Sequence, residues 1–264
     1  MTSSEVAAYW EANAGTWTRH ARLGYDIYRD AHNSPAFLSI LPPIAGLSGL
    51  DVGCGEGTNT RKLAERGARM QGVDIAPTFI RHAREAEAAA PLGITYEVGD
   101  GTALSYAEGT FDFVTAFMAL MDMPAQGRAL QEAQRVLKPG GFLQFSILHP
   151  CFVPPHRKVL READRSVRAV EVGGYFDAID GRIDTWWFTA APPEERAKVA
   201  PFQVPRFHRT LGTWVDLIVG AGLGIEKLHE PRATPEEAVA EPEVADTRVV
   251  PLFLHLRARK PVVP

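Results

Sequence analysis

Leu50-Asp51-Val52-Gly53-Cys54-Gly55-Glu56-Gly57 decides how this chain is read. An apolar run over residues 47–52 leads into three glycines at alternate positions, and a helix-compatible segment over 58–66 follows directly. Gly53, Gly55 and Gly57 let a backbone turn press against a ligand with no Cβ in between, or simply serve a tight strand-to-helix turn. The next apolar run, residues 70–74, ends in Asp74. A carboxylate there would accept both hydroxyls of a ribose, or else stand as a solvated turn residue. Dinucleotide-binding turns read G-x-G-x-x-G. Here the spacing is G-x-G-x-G, with Asp51 two residues ahead and Thr58 behind. Loop and carboxylate together predict a nucleoside-containing cofactor, and the spacing disfavours a dinucleotide and nicotinamide-dependent redox chemistry.

Outward from this loop the sequence alternates between strand and helix. Gly67 follows the first helix as a C′ residue, and Pro77 fits the first turn of the next. Phe79, Ile80, Ala83 and Ala86 then recur on one helical face. Residues 94–98, 111–117 and 142–148 read as strands three to five, and Lys138-Pro139-Gly140-Gly141 ends the helix over 127–137. This β-α rhythm predicts an α/β fold, a doubly wound and mostly parallel sheet with helices on both faces. Residues 5–41 read as N-terminal helices carrying Tyr9, Trp10, Trp17, Tyr25, Tyr28 and Arg29, either a lid over the site or simple packing on the sheet. The rhythm breaks over 151–208, which holds eight of the chain's 24 aromatic residues and so stands out as an aromatic-rich insertion after strand five. Within it, residues 170–176 and 182–188 are expected to pair as a hairpin around Asp180-Gly181. A helix over 211–221 and strands over 224–229 and 248–257 close the chain, with a charged loop over 231–246. The organisation expected is an N-terminal helical lid (1–46), a cofactor-binding core (47–150 and 209–264) and a substrate-covering insertion (151–208).

Bulk properties bound the function. A net charge of −4 and a pI near 6.1 give no broad electrostatic footprint for nucleic acid. No apolar run approaches the length of a membrane span. The N-terminal residues lack the basic and apolar regions of a signal peptide, and two cysteines, Cys54 and Cys151, make a disulfide framework implausible. The expectation is a cytoplasmic protein with reduced thiols. Nothing in the sequence supports a homodimer over a monomer. No acidic pair, and no cysteine triplet for an iron–sulfur cluster, stands where a metal site would need it, so no metal is expected.

Further motifs fall in order behind the loop: Val98-Gly99-Asp100-Gly101-Thr102 past strand three, Phe111-Asp112-Phe113-Val114 opening strand four, and Val136-Leu137-Lys138-Pro139-Gly140-Gly141-Phe142 before strand five. With these the chain resembles the class I S-adenosylmethionine-dependent methyltransferase superfamily, and within it the small-molecule branch. The resemblance rests on strong motifs over 47–150 and on pattern alone over 209–260. It implies a seven-stranded sheet whose last strand is antiparallel. It implies that Gly53, Gly55 and Gly57 line the methionine part of S-adenosylmethionine, with Asp51 orienting its ammonium group. Asp74 would hold the ribose and Ile75 pack beside the adenine, whose edge Asp100, Gly101 and Thr102 would read. Ala116, Phe117 and Met118 would border the sulfonium. Met121-Asp122 stands where family members often carry an aromatic residue or a histidine. The stretch 117–124 also lacks the acidic-or-Asn Pro-Pro-aromatic motif of amino-directed DNA methyltransferases.

The expected partner is a small-molecule methyl acceptor, and the product S-adenosylhomocysteine plus a methylated O, N or C centre. Catalysis then rests on bringing a nucleophile in line with the methyl carbon, plus a base where the nucleophile carries a proton. His149, in Leu148-His149-Pro150, is the first candidate base, with a structural strand-end histidine as its alternative. His208 is the second, with a surface histidine as the alternative. Tyr28, Met121, Tyr175, Trp186 and Trp187 are candidate substrate contacts, although a run such as Trp186-Trp187-Phe188 also suits the core of the insertion itself. Two other readings share the cofactor: cyclisation or another alkyl transfer, and a non-catalytic sensor or subunit partner.

Overall fold

The strand–helix alternation after Gly46 closes into one seven-stranded sheet in the computed structural model, which describes residues 1–164 and 166–262. Its strands are β1 (Ser48–Val52), β2 (Arg69–Asp74), β3 (Thr95–Val98), β4 (Phe111–Phe117), β5 (Leu137–Leu148), β10 (Gly224–His229) and β11 (Phe253–Arg259), in the spatial order β10-β11-β5-β4-β1-β2-β3. β1 pairs in parallel with β2 and β4, β2 with β3, and β4 with β5. β11 runs antiparallel to both β5 and β10. The direction of the chain's progress reverses at β1, so β1 and β4 flank the crevice at which open α/β sheets bind ligands.

The period-two alternation of strands divides the core between two faces. Val114 and Ala116 of β4 join Leu143, Phe145 and Ile147 of β5 and Leu254 and Leu256 of β11 on one face. There they pack under α5 (Gln126–Val136) and α7 (Leu211–Gly220). Phe113 and Phe142 face the other way, stacked with ring centroids 5.4 Å apart. They pack with Leu63 of α3 (Thr58–Ala64), Ile80 and Ala83 of α4 (Pro77–Ala89) and Phe37 of α2 (Ser34–Ser39). Pro77 opens α4 as expected, and its first turn is capped from another helix: Glu11 of α1 (Ser3–Arg22) accepts from the Thr78 N–H at 2.9 Å and its hydroxyl at 2.7 Å. The N-terminal segment is thereby tied to the helix that follows β2.

The insertion holds two separate hairpins, which corrects the expected pairing of 170–176 with 182–188. β6 (His156–Arg161) pairs with β7 (Val167–Gly173), and β8 (Ile179–Trp186) pairs with β9 (Phe202–His208). Gly181, at φ +90°, makes a bulge inside β8 where a turn was expected, and the register shifts between Asp180 and Arg182. A turn stands instead at Gly174, at φ +72°, whose carbonyl accepts from the Asp177 N–H at 3.0 Å. The last strand begins at Phe253, not at residue 248, because Pro242–Arg248 winds into a 3₁₀ helix behind the short α8 (Pro235–Ala240).

Aromatic stacking fastens the insertion to α1. Trp17 sits with its ring 5.2 Å from Trp186, 4.9 Å from Phe188 and 4.9 Å from Phe202, centroid to centroid, and 5.4 Å from Trp10. Such edge-to-face contacts add to the burial of large apolar area. Among the described residues, no helix is long and apolar enough to cross a membrane.

Candidate active site

A cavity of about 510 Å³ lies over the carboxyl ends of β1, β2 and β4, roofed by α1, the π-helical segment Tyr28–Asn33 and β8–β9. One end of its wall is the glycine loop and the acids behind it. Gly53, Gly55 and Gly57 all adopt left-handed φ, at +70°, +56° and +90°. Their surroundings separate their tasks. A Cβ on Gly53 would stand 2.3 Å from Ala119 Cβ, and one on Gly57 would stand 2.6 Å from the Tyr96 hydroxyl. A Cβ on Gly55 meets nothing within 4 Å. Gly53 and Gly55 border the cavity, whereas Gly57 lies outside its wall and caps α3. Of the three glycines expected along the cofactor, Gly57 is thus the one placed behind the cavity wall, its Cβ direction filled by protein.

Two carboxylates stiffen this end. Asp51 is buried and accepts from the Thr60 hydroxyl at 2.6 Å and the Thr115 hydroxyl at 2.7 Å. Asp74 accepts from the Gly55 N–H and the Ala76 N–H, both at 2.9 Å, so it fixes the loop across the strand gap. Burial raises both acids to about 6, against the hydrogen bonds that favour their charged forms. Each carboxylate keeps acceptor positions beyond the two in use. Ile75, Asp100 and Gly101 continue the wall. Thr102 lies outside it and holds Asp100 from behind, with its N–H and hydroxyl both donating to Asp100 Oδ1 at 2.8 Å. Phe117 and Met118 border the cavity at the end of β4, but Ala116 is wholly buried in the sheet core. Strand alternation turns Ala116 toward α5 and corrects its expected place beside the cofactor. Met118 adopts φ +55°, a left-handed conformation rare for a residue with a side chain, and its N–H donates to Ser146 O at 2.9 Å.

The far end is aromatic. Trp10, Trp17, Tyr25, Tyr28, Trp186, Trp187 and Phe188 all border it, with Met121, Met123 and Val204. Tyr28 anchors the π-helical segment by donating to Glu243 O, at 2.6 Å, and to Asp246 at 3.0 Å. Asp246 also takes Arg157 Nη2 at 2.6 Å. Tyr175 is not in this wall. Its hydroxyl accepts from the Leu211 N–H at 2.9 Å and pins the insertion to the start of α7, so its expected substrate contact is corrected.

Neither candidate histidine borders this cavity, although His208 lines a smaller one that shares Met121, Asp122, Leu148 and Arg206 with it. His149 is buried, with Nδ1 accepting from the Cys151 N–H at 3.1 Å and Nε2 facing Glu230 at 2.8 Å. With Nδ1 as acceptor, Nε2 carries the proton and donates to Glu230. Burial lowers the pKa of this imidazole despite the carboxylate beside it. His208 faces the Tyr175 carbonyl through Nε2 at 2.8 Å, and burial lowers its pKa too. Both rings fasten loops. The titratable group missed at the acceptor end is Asp122, buried in the cavity wall with its pKa raised well above the ordinary carboxylate range by desolvation. An acid standing alone in the apolar stretch 117–124 was the available signal.

Comparison with known proteins agrees with this arrangement. Residues 50–145 match the family described as methyltransferase domain. A ubiquinone biosynthesis O-methyltransferase of Ralstonia nicotianae is 33% identical over 108 residues, 40% of this chain and 45% of that protein. A demethylmenaquinone methyltransferase of Tropheryma whipplei is 35% identical over 162 residues, 60% of this chain and 66% of that protein. The matched stretches therefore span about half to two thirds of these curated relatives. The crystal structure of an S-adenosylmethionine-dependent methyltransferase from Mesorhizobium loti superposes with a TM-score of 0.68 at 28% identity, covering 85% of this chain and 96% of that one. The sheet order with its antiparallel β11, the loop with its two carboxylates, and these likenesses agree. The chain belongs to the class I S-adenosylmethionine-dependent methyltransferase superfamily.

Proposed function

We propose that this chain transfers the methyl group of S-adenosylmethionine to a small molecule with a planar, largely apolar body. The observation that carries the reading is the single cavity. It joins a loop-and-carboxylate end suited to a nucleoside with an ammonium group to an aromatic end suited to a flat acceptor. The relatives act, by name, in ubiquinone biosynthesis and on demethylmenaquinone, which makes ring compounds the first acceptors to try.

The residues present fit the cofactor. Gly55 offers the open side of a cradle that a Cβ would fill. Asp74 and Asp100 bring spare carboxylate acceptors for ribose hydroxyls and the adenine amino group, and Asp51 brings charge for the ammonium group. When bound, S-adenosylmethionine supplies a methyl group already activated by its sulfonium. The protein's task is then to hold and to exclude. Trp186, Phe188 and Val204 confine the acceptor from the insertion side, and Met118, Met121 and Met123 from the sheet side, so the reacting partners share one shaped volume. Confinement of this kind lowers the barrier by fixing orientation before the reaction begins.

The test is calorimetric titration with S-adenosylhomocysteine, followed by incubation of the protein and isotopically methyl-labelled S-adenosylmethionine with phenols and hydroquinones. Saturable binding and a labelled small-molecule product are expected. Absence of binding would overturn the cofactor reading. Binding with no labelled product, from these compounds or from a small-molecule extract, would favour a non-catalytic role or another reaction of the same cofactor.

A further inference from the structure

The acids in the cavity wall are already engaged, with one exception. Asp26 accepts from the Arg29 N–H, and Glu56 takes Arg29 and the Thr58 hydroxyl. Asp51 and Asp74 are held as described, and Asp100 is held by Thr102. Asp184 takes Arg182 Nε at 2.9 Å and Arg206 Nη1 at 3.3 Å, and Glu243 takes the Thr189 hydroxyl. Asp122 alone has no hydrogen bond to its carboxyl among the described residues, although it is only 7% exposed. It ends the 3₁₀ turn Leu120–Asp122 that follows β4, and it borders the cavity together with Met121, Asp184 and Arg206. Its oxygens are not sealed inside the protein but reach the cavity surface, so a largely desolvated carboxyl with no protein partner is placed to meet whatever enters the cavity.

Its surroundings state what that ligand is. Arg206 is the cation nearest in effect, but its guanidinium is committed to Asp184 and to the Val153 and Pro154 carbonyls. Asp184 already occupies both Arg182 and Arg206, so no cation is hydrogen-bonded to Asp122 itself, and a charge there would be a desolvated one with no direct partner. Asp122 therefore suits the neutral, protonated form, which presents one O–H donor and one carbonyl acceptor. Resting on the methyl-transfer reading of this cavity, we propose that Asp122 is the polar recognition point of the acceptor end and selects an uncharged aromatic compound bearing a hydroxyl group. The aromatic wall takes the ring, and the carboxyl exchanges hydrogen bonds with the hydroxyl.

Binding tests this without any turnover. 2-Naphthol and 2-methylnaphthalene share a ring body and differ by hydroxyl against methyl. Each is titrated into the S-adenosylhomocysteine-saturated protein as wild type, Asp122→Asn and Asp122→Ala. An amide still donates and accepts, so D122N should hold 2-naphthol within about threefold of wild type. D122A should lose about tenfold, the worth of roughly one net hydrogen bond. 2-Methylnaphthalene should bind all three proteins alike, or D122A more tightly. Two results would overturn the proposal: equal loss of both ligands in D122A, which is a packing effect, or a D122N loss as large as that of D122A, which means that the ionised carboxylate is needed. S-Adenosylhomocysteine affinity is measured first in each protein. It reports folding, and its absence in wild type would mark failure of the cofactor reading instead.

Discussion

Two glycines of one loop should fail in opposite ways when given a methyl group. Both Gly53→Ala and Gly55→Ala place a Cβ on a left-handed backbone, at φ +70° and +56°. That alone costs about 1 kcal/mol for an L-residue with a side chain. At Gly55 nothing lies within 4 Å of the new atom, so stability should fall by little more, about 2–4 °C in melting temperature. At Gly53 the new Cβ lies 2.3 Å from Ala119 Cβ, well inside contact distance. Forced overpacking adds roughly 1–3 kcal/mol, giving a total near 2–4 kcal/mol. Ligand binding should rank the other way relative to stability. The Gly55 Cβ points into open space at the wall where a ligand is to press. S-Adenosylhomocysteine should therefore bind Gly55→Ala at least about tenfold more weakly, roughly 1.4 kcal/mol, for that small loss of stability. Differential scanning calorimetry and titration calorimetry on the same preparations give both numbers. A Gly55→Ala protein with wild-type affinity would refute the cradle. Equal melting temperatures for the two variants would refute the steric account of Gly53.

Asp51 should leave a signature in pH. Burial lifts it from its ordinary 3.8 to about 6, so the folded chain holds this proton more tightly than the unfolded chain does. Its contribution favours folding below about pH 4 and is lost as pH rises through about 6, where the charge is forced into the core. Asp51→Asn, whose amide can still meet the Thr60 and Thr115 hydroxyls, should gain about 2–3 kcal/mol relative to wild type between pH 4 and pH 7.5, measured by urea unfolding; a difference that ignores pH would count against the assignment. His149→Ala should cost about 1–3 kcal/mol of stability through the orphaned Glu230 and Cys151 groups while S-adenosylhomocysteine affinity stays within twofold. In Asp74→Ala the affinity loss should far exceed that of His149→Ala, and equal losses in titration calorimetry would sink the ribose assignment. Trp17→Ala removes the ring shared by Trp186, Phe188 and Phe202 and should cost about 2–4 kcal/mol. Hydrogen exchange should then rise in both α1 and β8–β9; a rise confined to α1 would mean that the roof is not one unit.

What the sequence made legible followed from local rules. Strands and helices after Gly46 carry their own periodicity, and the glycine loop, Asp74 and Asp100 sit at strand ends where the backbone alone fixes their place. The roof obeys no such rule. β6, with its charged residues, shows no apolar alternation, and β9 carries Pro205 in its middle, so neither reads as a strand, and the visible strands were paired with each other for want of their true partners. Asp180-Gly181 carries a turn signal, whereas the flanking pairing makes Gly181 a bulge. The histidines misled for a related reason. His149 does stand at the end of β5, but what a strand-end side chain faces depends on the loop beyond, and Cys151 and Glu230 claim both of its nitrogens. The recognition role proposed at the acceptor end rests instead on Asp122, a residue whose significance is a missing partner. The lone acid in the apolar stretch 117–124 is visible in the sequence, but its missing partner is not, since the charged side chains beside it, Asp184 and Arg206, come from the insertion. The glycine loop is local in the chain, whereas the aromatic wall proposed for the acceptor is assembled from α1, the stretch after β4 and the insertion. A family match confined to residues 50–145 therefore covers the loop and Asp122 but not Trp186 and Arg206, and those two insertion positions are where relatives should differ in the acceptor they take.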